Sequence, residues 1–87
     1  MTLNFPNLSR SYDERRNLVR FWGYDRALEV PFFVEVSALC KLLPQTQNLE
    51  AGYLDAFDAA REQILEAARK VYAQTSRDAY LLAATDF

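Results

Sequence analysis

The sequence predicts a small α+β domain, in which a small antiparallel sheet packs against one short and one long amphipathic helix. Apolar and polar residues alternate over residues 18–35, which is typical of a two-stranded hairpin. Apolar residues recur every three or four positions over residues 49–73, which is typical of a helix. A chain of 87 residues has room for one hydrophobic core, so we expect a single domain over residues 1–87. The expected order along the chain is β-β-β-α-α-β.

The strands are predicted from short alternating segments. Leu3–Phe5 is expected to form a short edge strand, followed by a loop rich in Asn, Pro and Ser. The next strand begins at Leu18, and residues 79–84 are expected to form the last strand. Alternation in the strand that begins at Leu18 separates two faces, with Val19 and Phe21 on one and Arg20 and Trp22 on the other.

A hairpin connects this strand to a third one. Residues 23–26 carry turn chemistry, and alternation resumes over residues 28–35. If the four-residue loop closes symmetrically, Arg20 lies opposite Glu29, which pairs opposite charges on one face and apolar residues on the other. Pro31 has no backbone N–H to donate, so this strand is expected to lie at an edge of the sheet or to contain a bulge.

The second half of the chain is predicted to be mainly helical. Ser37 is the expected N-cap of a short helix over residues 38–43, and Asn48 that of a long helix over residues 49–73. The long helix would measure about 37 Å at 1.5 Å per residue. A domain of this size is only roughly 30 Å across. We therefore expect the long helix to fray at its start or to project at one end. Its apolar stripe comprises Leu49, Tyr53, Phe57, Ala60, Ile64, Ala67 and Val71.

Composition argues against several classes of function. The net charge of −2 disfavours a dedicated nucleic-acid binder, because neutralising phosphates requires an excess of basic residues. The absence of histidine removes the commonest general base and metal ligand, and two glycines are too few for a P-loop or a dinucleotide-binding fingerprint. Cys40 lies among leucines, so we interpret it as a buried hydrophobe, although its reactivity stays open. We expect no catalytic residue, no metal and no cofactor.

The expected location is the cytoplasm. No apolar run approaches the ~20 residues that span a bilayer, and the N-terminus lacks the basic and apolar regions of a signal peptide. A single cysteine forms no internal disulfide, which agrees with a reducing compartment.

The hairpin carries a candidate interaction surface in which arginines and aromatic residues are interleaved. A sheet face of this composition can bind single-stranded nucleic acid through phosphate contacts and base stacking. The charge balance favours a structural interpretation, in which Arg20 pairs with Glu29 and Trp22 packs beneath another segment. The candidate residues are Arg20, Trp22, Tyr24, Arg26 and Phe33, with Arg15 and Arg16 nearby.

The same hairpin is also expected to present an apolar patch if no other strand covers it. This patch would contain Leu18, Trp22, Pro31 and Phe33. Such patches often mark contacts with another chain. We therefore favour a non-enzymatic interaction protein that self-associates through the long helix or the hairpin face. Two alternatives stay open: a nucleic-acid-binding module that uses the arginine/aromatic hairpin, and a protein that binds an unspecified small molecule, either as a binder or as an unrecognised enzyme.

Several segments form a distinctive set when taken together. They are Val19–Asp25, Glu29–Phe33, Gly52–Phe57, Arg61–Ile64, Tyr72 and Tyr80–Phe87. As a set they resemble domain-of-unknown-function family 1488 (DUF1488), and the resemblance covers nearly the whole chain. The resemblance implies a short stand-alone bacterial protein and carries over no activity, cofactor or functional residue.

Overall fold

The computed structural model describes residues 3–87, which form one mixed five-stranded sheet and three α-helices. The α+β class and the broad order of strands and helices are confirmed, and a short additional strand occurs within the predicted first loop. The elements in chain order are β1 Leu3–Asn4, β2 Ser11–Asp13, β3 Leu18–Asp25, β4 Leu28–Glu35, α1 Val36–Leu42, α2 Glu50–Ala59, α3 Arg61–Gln74, β5 Tyr80–Leu82 and a 3₁₀ helix Ala84–Asp86. Residues 1 and 2 of the expected domain lie outside the described residues.

The sheet is mixed, so the prediction of a wholly antiparallel sheet is wrong in this respect. Its strands follow the order β1-β3-β4-β5, and β2 pairs with the start of β3. All pairs are antiparallel except β4 and β5, which run parallel. Three helices separate β4 from β5, and a connection of that length can return the chain to the same end of the sheet. β5 is shorter than predicted, because the 3₁₀ helix follows it closely.

The central hairpin closes through two residues, 26–27, and the predicted four-residue loop is wrong. Arg20 consequently lies opposite Phe33, which displaces the predicted register by four positions. Side chains alternate between faces with a period of two, so an even displacement leaves each of them on its predicted face. Arg26 adopts a positive φ of 60°, which is typical of such short turns.

Pro31 marks the point where the pairing between β4 and β5 ends. β5 pairs only with Phe32–Val34. A two-residue loop makes Asp25 and Leu28 a hydrogen-bonded pair, and alternation along the ladder then turns the backbone of Pro31 away from β3. Because proline has no N–H to offer on that side, the ladder with β5 stops here. The first half of β4 is therefore a local edge, although the strand as a whole is internal.

The core lies between one face of the sheet and the helices. The rings of Phe21 and Phe32 stack with centroids 5.3 Å apart, and Phe57 of α2 lies 5.1 Å from Phe21 in a tilted arrangement. This packing determines which face of the sheet the helices cover, and the alternate side chains point to the other face. The residues of the core that are at most 3% exposed include Val19, Phe21, Val30, Phe32, Val34, Phe57, Ile64, Tyr80 and Leu82.

The predicted long helix covers the expected residues but is divided at Ala60 into α2 and α3. The φ and ψ angles of Ala60, −102° and 14°, depart from helical values. Hydrogen bonds of 3.0 Å, from the Ala60 N–H to the Ala56 oxygen and from the Ile64 N–H to the Ala60 oxygen, carry the chain through the junction. The molecule is 35 Å long, so a straight rod of about 37 Å would exceed it. The break at Ala60 lets the helical residues fit within the length of the molecule. The expected fraying at the start or projection at one end is therefore replaced by a division into two helices.

The two predicted N-caps are wrong. Ser37 lies inside α1, whose N-cap is Glu35, and Asn48 lies one residue before Leu49, the N-cap of α2. Neither N-cap residue makes a side-chain capping hydrogen bond. β4 passes directly into α1, so no loop residue is left to serve as a polar cap.

Candidate interaction surface

The outer face of the sheet is the candidate interaction surface, because the helices pack on the opposite face. Leu81 is 54% exposed and Arg20 is also exposed, while three further apolar residues on this face are half-buried. They come from three neighbouring strands, so the exposed apolar surface is continuous rather than scattered. We define the outer patch as Arg20, Trp22, Pro31, Phe33 and Leu81.

Strand register makes these residues neighbours. Trp22 lies directly opposite Pro31, and Arg20 lies opposite Phe33. Phe33 is in turn paired with Leu81 on β5. Residues directly opposite in neighbouring strands have Cβ atoms about 5 Å apart, so their side chains touch.

Two guanidinium groups lie against the aromatic rings of this face. The Cζ atom of Arg20 is 5.5 Å from the ring centroid of Trp22, and that of Arg16 is 5.9 Å from the centroid of Phe33. Both distances fall within the ~6 Å range of cation–π attraction. The two arginines are themselves exposed. The two rings are therefore covered by exposed arginine side chains and not by backbone.

Charges of both signs surround the outer patch. Arg20 Nη2 lies 4.0 Å from Glu29 Oε1, and the two side chains are 47% and 51% exposed. The two side chains meet as predicted, but not across the predicted register: Glu29 lies opposite Tyr24, four residues along β3 from Arg20. An exposed pair at this distance contributes little to stability. Glu35 lies on the same face at the far end of β4, so the surface is not basic overall.

The other predicted residues are placed differently. Tyr24 is half-buried on the same face, opposite Glu29 and toward the hairpin end. Arg26 lies in the turn itself and is exposed there, apart from the outer patch. Leu18 is only 9% exposed, so it adds little apolar surface. The structure thus brings Arg20, Trp22 and Phe33 together and leaves Arg26 at the tip.

Leu81 is a member of the outer patch that the sequence patterns did not single out. Its neighbours Tyr80 and Leu82 are buried, so the three residues alternate as a strand with one buried face should. The predicted last strand, residues 79–84, included Leu81. The alternation of buried and exposed residues extends over only the three residues of β5, which is too short to establish a period from the sequence. Knowledge of the partner strand was needed to place Leu81 beside Phe33.

Away from the outer patch, Asp58 is the centre of an ion cluster. Arg10 donates to both carboxylate oxygens, at 2.9 and 2.8 Å, and Arg61 donates to Oδ1 at 2.8 Å. Burial pushes the pKa of Asp58 upward, but the hydrogen bonds and charges of the two arginines outweigh burial and lower this pKa overall. Arg61 also donates to the backbone oxygen of Leu8 at 3.0 Å. The cluster therefore ties the loop before β2 to the junction of α2 and α3.

A cleft of 440 Å³ lies between the first half of β4 and the loop that joins α3 to β5. Tyr72 donates a hydrogen bond to Asp25, and this bond, with burial, raises the pKa of Tyr72. The hydroxyl of Tyr80 donates to the Thr75 oxygen at 2.8 Å and accepts from the Arg77 N–H at 3.0 Å. Across residues 3–87, no buried side-chain nitrogen or oxygen lacks a hydrogen-bond partner. The hydroxyl of Tyr80 in this cleft thus joins β5 to the loop that precedes it.

Metal ligands do not cluster in the part of the chain that the structure describes. No group of three or more Asp, Glu or Cys residues within it could hold a metal ion. Cys40 is a free, half-buried cysteine. None of the helices described above is both long enough and apolar enough to cross a membrane.

The fold and the outer patch define a small α+β protein with one open sheet face. The family model described as "Protein of unknown function (DUF1488)" matches residues 3–82. The chain belongs to this family, as the resemblance in its sequence predicted. The family description assigns no activity. Searches of curated proteins and of solved structures found no match.

Proposed function

We propose that this protein is a non-enzymatic interaction protein that associates with a second copy of itself through the outer patch. The observation that carries the proposal is the continuous apolar surface contributed by three neighbouring strands. An apolar sheet face is normally buried against another layer. The helices supply that layer on one face only, and the sheet of a second copy supplies it on the other.

The size of the face predicts how strongly two copies bind. β3 and β4 contain eight residues each, β2 and β5 three each and β1 two, so the sheet has 24 residues. Each strand residue covers about 16 Å² of the sheet face. Each copy therefore contributes roughly 400 Å², and a face-to-face contact buries roughly 800 Å² in total, well below the ~1,600 Å² of a standard interface. We expect a weak dimer whose population depends on concentration.

Charge favours a second copy over nucleic acid as the partner. Glu29 and Glu35 lie on the same face as Arg20, and the net charge of the chain is −2. A polyanion meets repulsion from these carboxylates, whereas a second copy offers both signs of charge. Nucleic acid stays the second candidate because Trp22 and Phe33 lie on adjacent strands with arginines against their rings.

Self-association is tested by measuring the average mass with sedimentation equilibrium, from about 10 μM to 1 mM protein. The mass of the wild-type chain should rise from 10.1 kDa toward twice that value. Leu81→Asp should stay monomeric, because it places a charge in the outer patch. It should keep its circular dichroism spectrum, because Leu81 is exposed and not part of the core. Leu28→Asp is the matched control: Leu28 is 65% exposed but lies outside the outer patch, so this variant should associate like the wild type. A wild-type chain that is monomeric at every concentration would contradict the proposal.

The nucleic-acid alternative is tested with labelled single-stranded RNA and DNA oligonucleotides at low salt. It predicts binding that weakens steeply as salt is added and that is lost in the Arg20→Ala, Trp22→Ala double variant. Absence of binding to the wild-type chain at low salt would end this alternative. A small-molecule ligand, the third possibility, would occupy the cleft beside β4, where the polar groups already bond to one another.

A further inference from the structure

We infer that the two copies are related by a two-fold axis at the Trp22–Pro31 pair, so that Arg20 of each copy faces Glu29 of the partner subunit. This inference rests on the proposed function, because it specifies how two outer patches meet. It assigns a role in orientation to Glu29, which lies next to the outer patch.

The positions of the two charges follow from strand register. Trp22 on β3 lies opposite Pro31 on β4, in the middle of the outer face. Arg20 lies two residues before Trp22 along β3, and Glu29 lies two residues before Pro31 along β4. Because β3 and β4 are antiparallel, Arg20 and Glu29 lie on opposite sides of the central pair.

The two-fold axis lies in the interface at the Trp22–Pro31 pair and runs at right angles to the line from Arg20 to Glu29, so it is tilted by about 20° from the direction across the strands. It brings Arg20 of one copy over Glu29 of the partner subunit, and the reverse contact follows by symmetry. The interface then contains two such ion pairs flanking a central apolar contact. Each patch is thereby complementary to an identical patch, as an isologous contact requires.

The two side chains are already positioned for this exchange. Within one copy they approach to only 4.0 Å, and both are about half exposed. Rotation of each long side chain toward the partner subunit gives up only contacts of exposed groups, namely the ion pair within one copy and the contact of Arg20 with the Trp22 ring. The partner's apolar residues then shield the new pairs from water, which strengthens their attraction. Charge pairs at the rim of an interface govern orientation and choice of partner more than affinity.

The test uses two charge-reversed variants, Arg20→Glu and Glu29→Arg. Either variant alone places like charges at both contacts of a homodimer, which should weaken association roughly tenfold. In an equimolar mixture both contacts again join opposite charges, so a heterodimer should form with about the affinity of the wild-type dimer. Native mass spectrometry distinguishes the heterodimer from the two homodimers by mass.

The control mixture combines Lys70→Glu with Glu62→Lys, which make the same changes in net charge on the exposed surface of α3. These variants should form homodimers and heterodimers in random proportion. If the first mixture shows no more heterodimer than the control while the wild-type chain dimerises, the two-fold arrangement is wrong and self-association stands. If the wild-type chain stays monomeric at every concentration, the proposed function fails and the inference fails with it.

Discussion

Arg26 lies at the tip of the central hairpin with a φ of 60°, in the left-handed region that favours glycine. At Gly23, on the adjoining strand, the limit on residue size comes from close packing and not from the backbone conformation. A Cβ atom at this position would lie 2.8 Å from the ring of Phe5 and 2.9 Å from the backbone oxygen of Asn4. The chain before β2 therefore approaches β3 more closely than any side chain at position 23 allows.

Arg26→Gly should stabilise the protein by about 0.5 kcal/mol, because relief of the left-handed conformation exceeds the entropy that glycine adds to the unfolded chain. Urea unfolding followed by circular dichroism measures the change. Ala27→Gly is the control: Ala27 does not have a positive φ, so glycine there brings only the entropic cost and should destabilise the protein. Equal losses in the two variants would show that the turn at Arg26 stores no strain.

Gly23→Ala should destabilise the protein by about 1–3 kcal/mol, because the added methyl group forces β1 and Phe5 away from β3. The ring of Phe5 packs 6.1 Å from Phe21 and 5.7 Å from Phe32, so its displacement disturbs the core. The free energy of unfolding in urea gives the measurement. A free energy of unfolding equal to that of the wild type would mean that β1 and Phe5 can move away from β3 without destabilising the protein.

At the scale of the elements, the division between α2 and α3 is held by side chains from distant parts of the chain. Arg10, which lies before β2, and Arg61, which begins α3, converge on Asp58 near the end of α2. Arg61 also lies 4.9 Å from the ring centroid of Phe57 in the core. The junction is thus fastened to the N-terminal loop on the surface and to the core beneath it.

The Asp58 cluster should make stability depend on acidic pH. The folded-state pKa of Asp58 is lowered, so its contribution is complete above the unfolded pKa of about 4 and is lost as the pH falls through the folded pKa. Asp58→Asn should therefore reduce stability at pH 7 and have progressively less effect below pH ~4. Urea unfolding across this range measures the difference from the wild-type chain. Asp55→Asn, at an exposed position on the same helix, is the control, and a similar pH profile for both variants would contradict the assignment.

The elements show which features were predictable from sequence. Alternation in β3 and β4 indicated the correct faces, because the actual register differs from the predicted one by an even number of residues. The register itself was missed because arginine at position 26 gives no turn signal of the kind that Asn or Gly would give. The helix break at Ala60 was also missed, since alanine is the best helix former, and the contacts of its neighbours Asp58 and Arg61 with the distant residues Arg10 and Leu8 leave no local pattern.

At the scale of the whole molecule, the sheet has a layer of helices on one side only. The α+β class was predictable because local periodicity and element order determine it. The parallel pairing of β5 was not, since it depends on the path of the chain across three helices. That pairing places Leu81 beside Phe33, so the candidate surface is larger than the hairpin alone suggested.

If two copies associate in the native state, thermal stability should increase with protein concentration, because the dimer withdraws folded chain from the unfolding equilibrium. The Tm of the wild-type chain should rise between dilute and concentrated samples, as measured by differential scanning calorimetry. Leu81→Asp should remove this dependence while leaving the Tm of the dilute protein close to that of the wild type. A wild-type Tm that is independent of concentration would contradict association of the folded protein.

Pro31 also affects what kind of assembly this sheet can join. An exposed strand edge can recruit further strands without limit, which is how sheets grow into filaments. The first half of β4 is such an edge, and Pro31 offers no backbone donor at the position where the pairing with β5 ends. Lateral growth is therefore interrupted, while the broad outer face stays open. Replacing Pro31 with a residue that bears an N–H should therefore favour the addition of further strands at this edge and the growth of filaments.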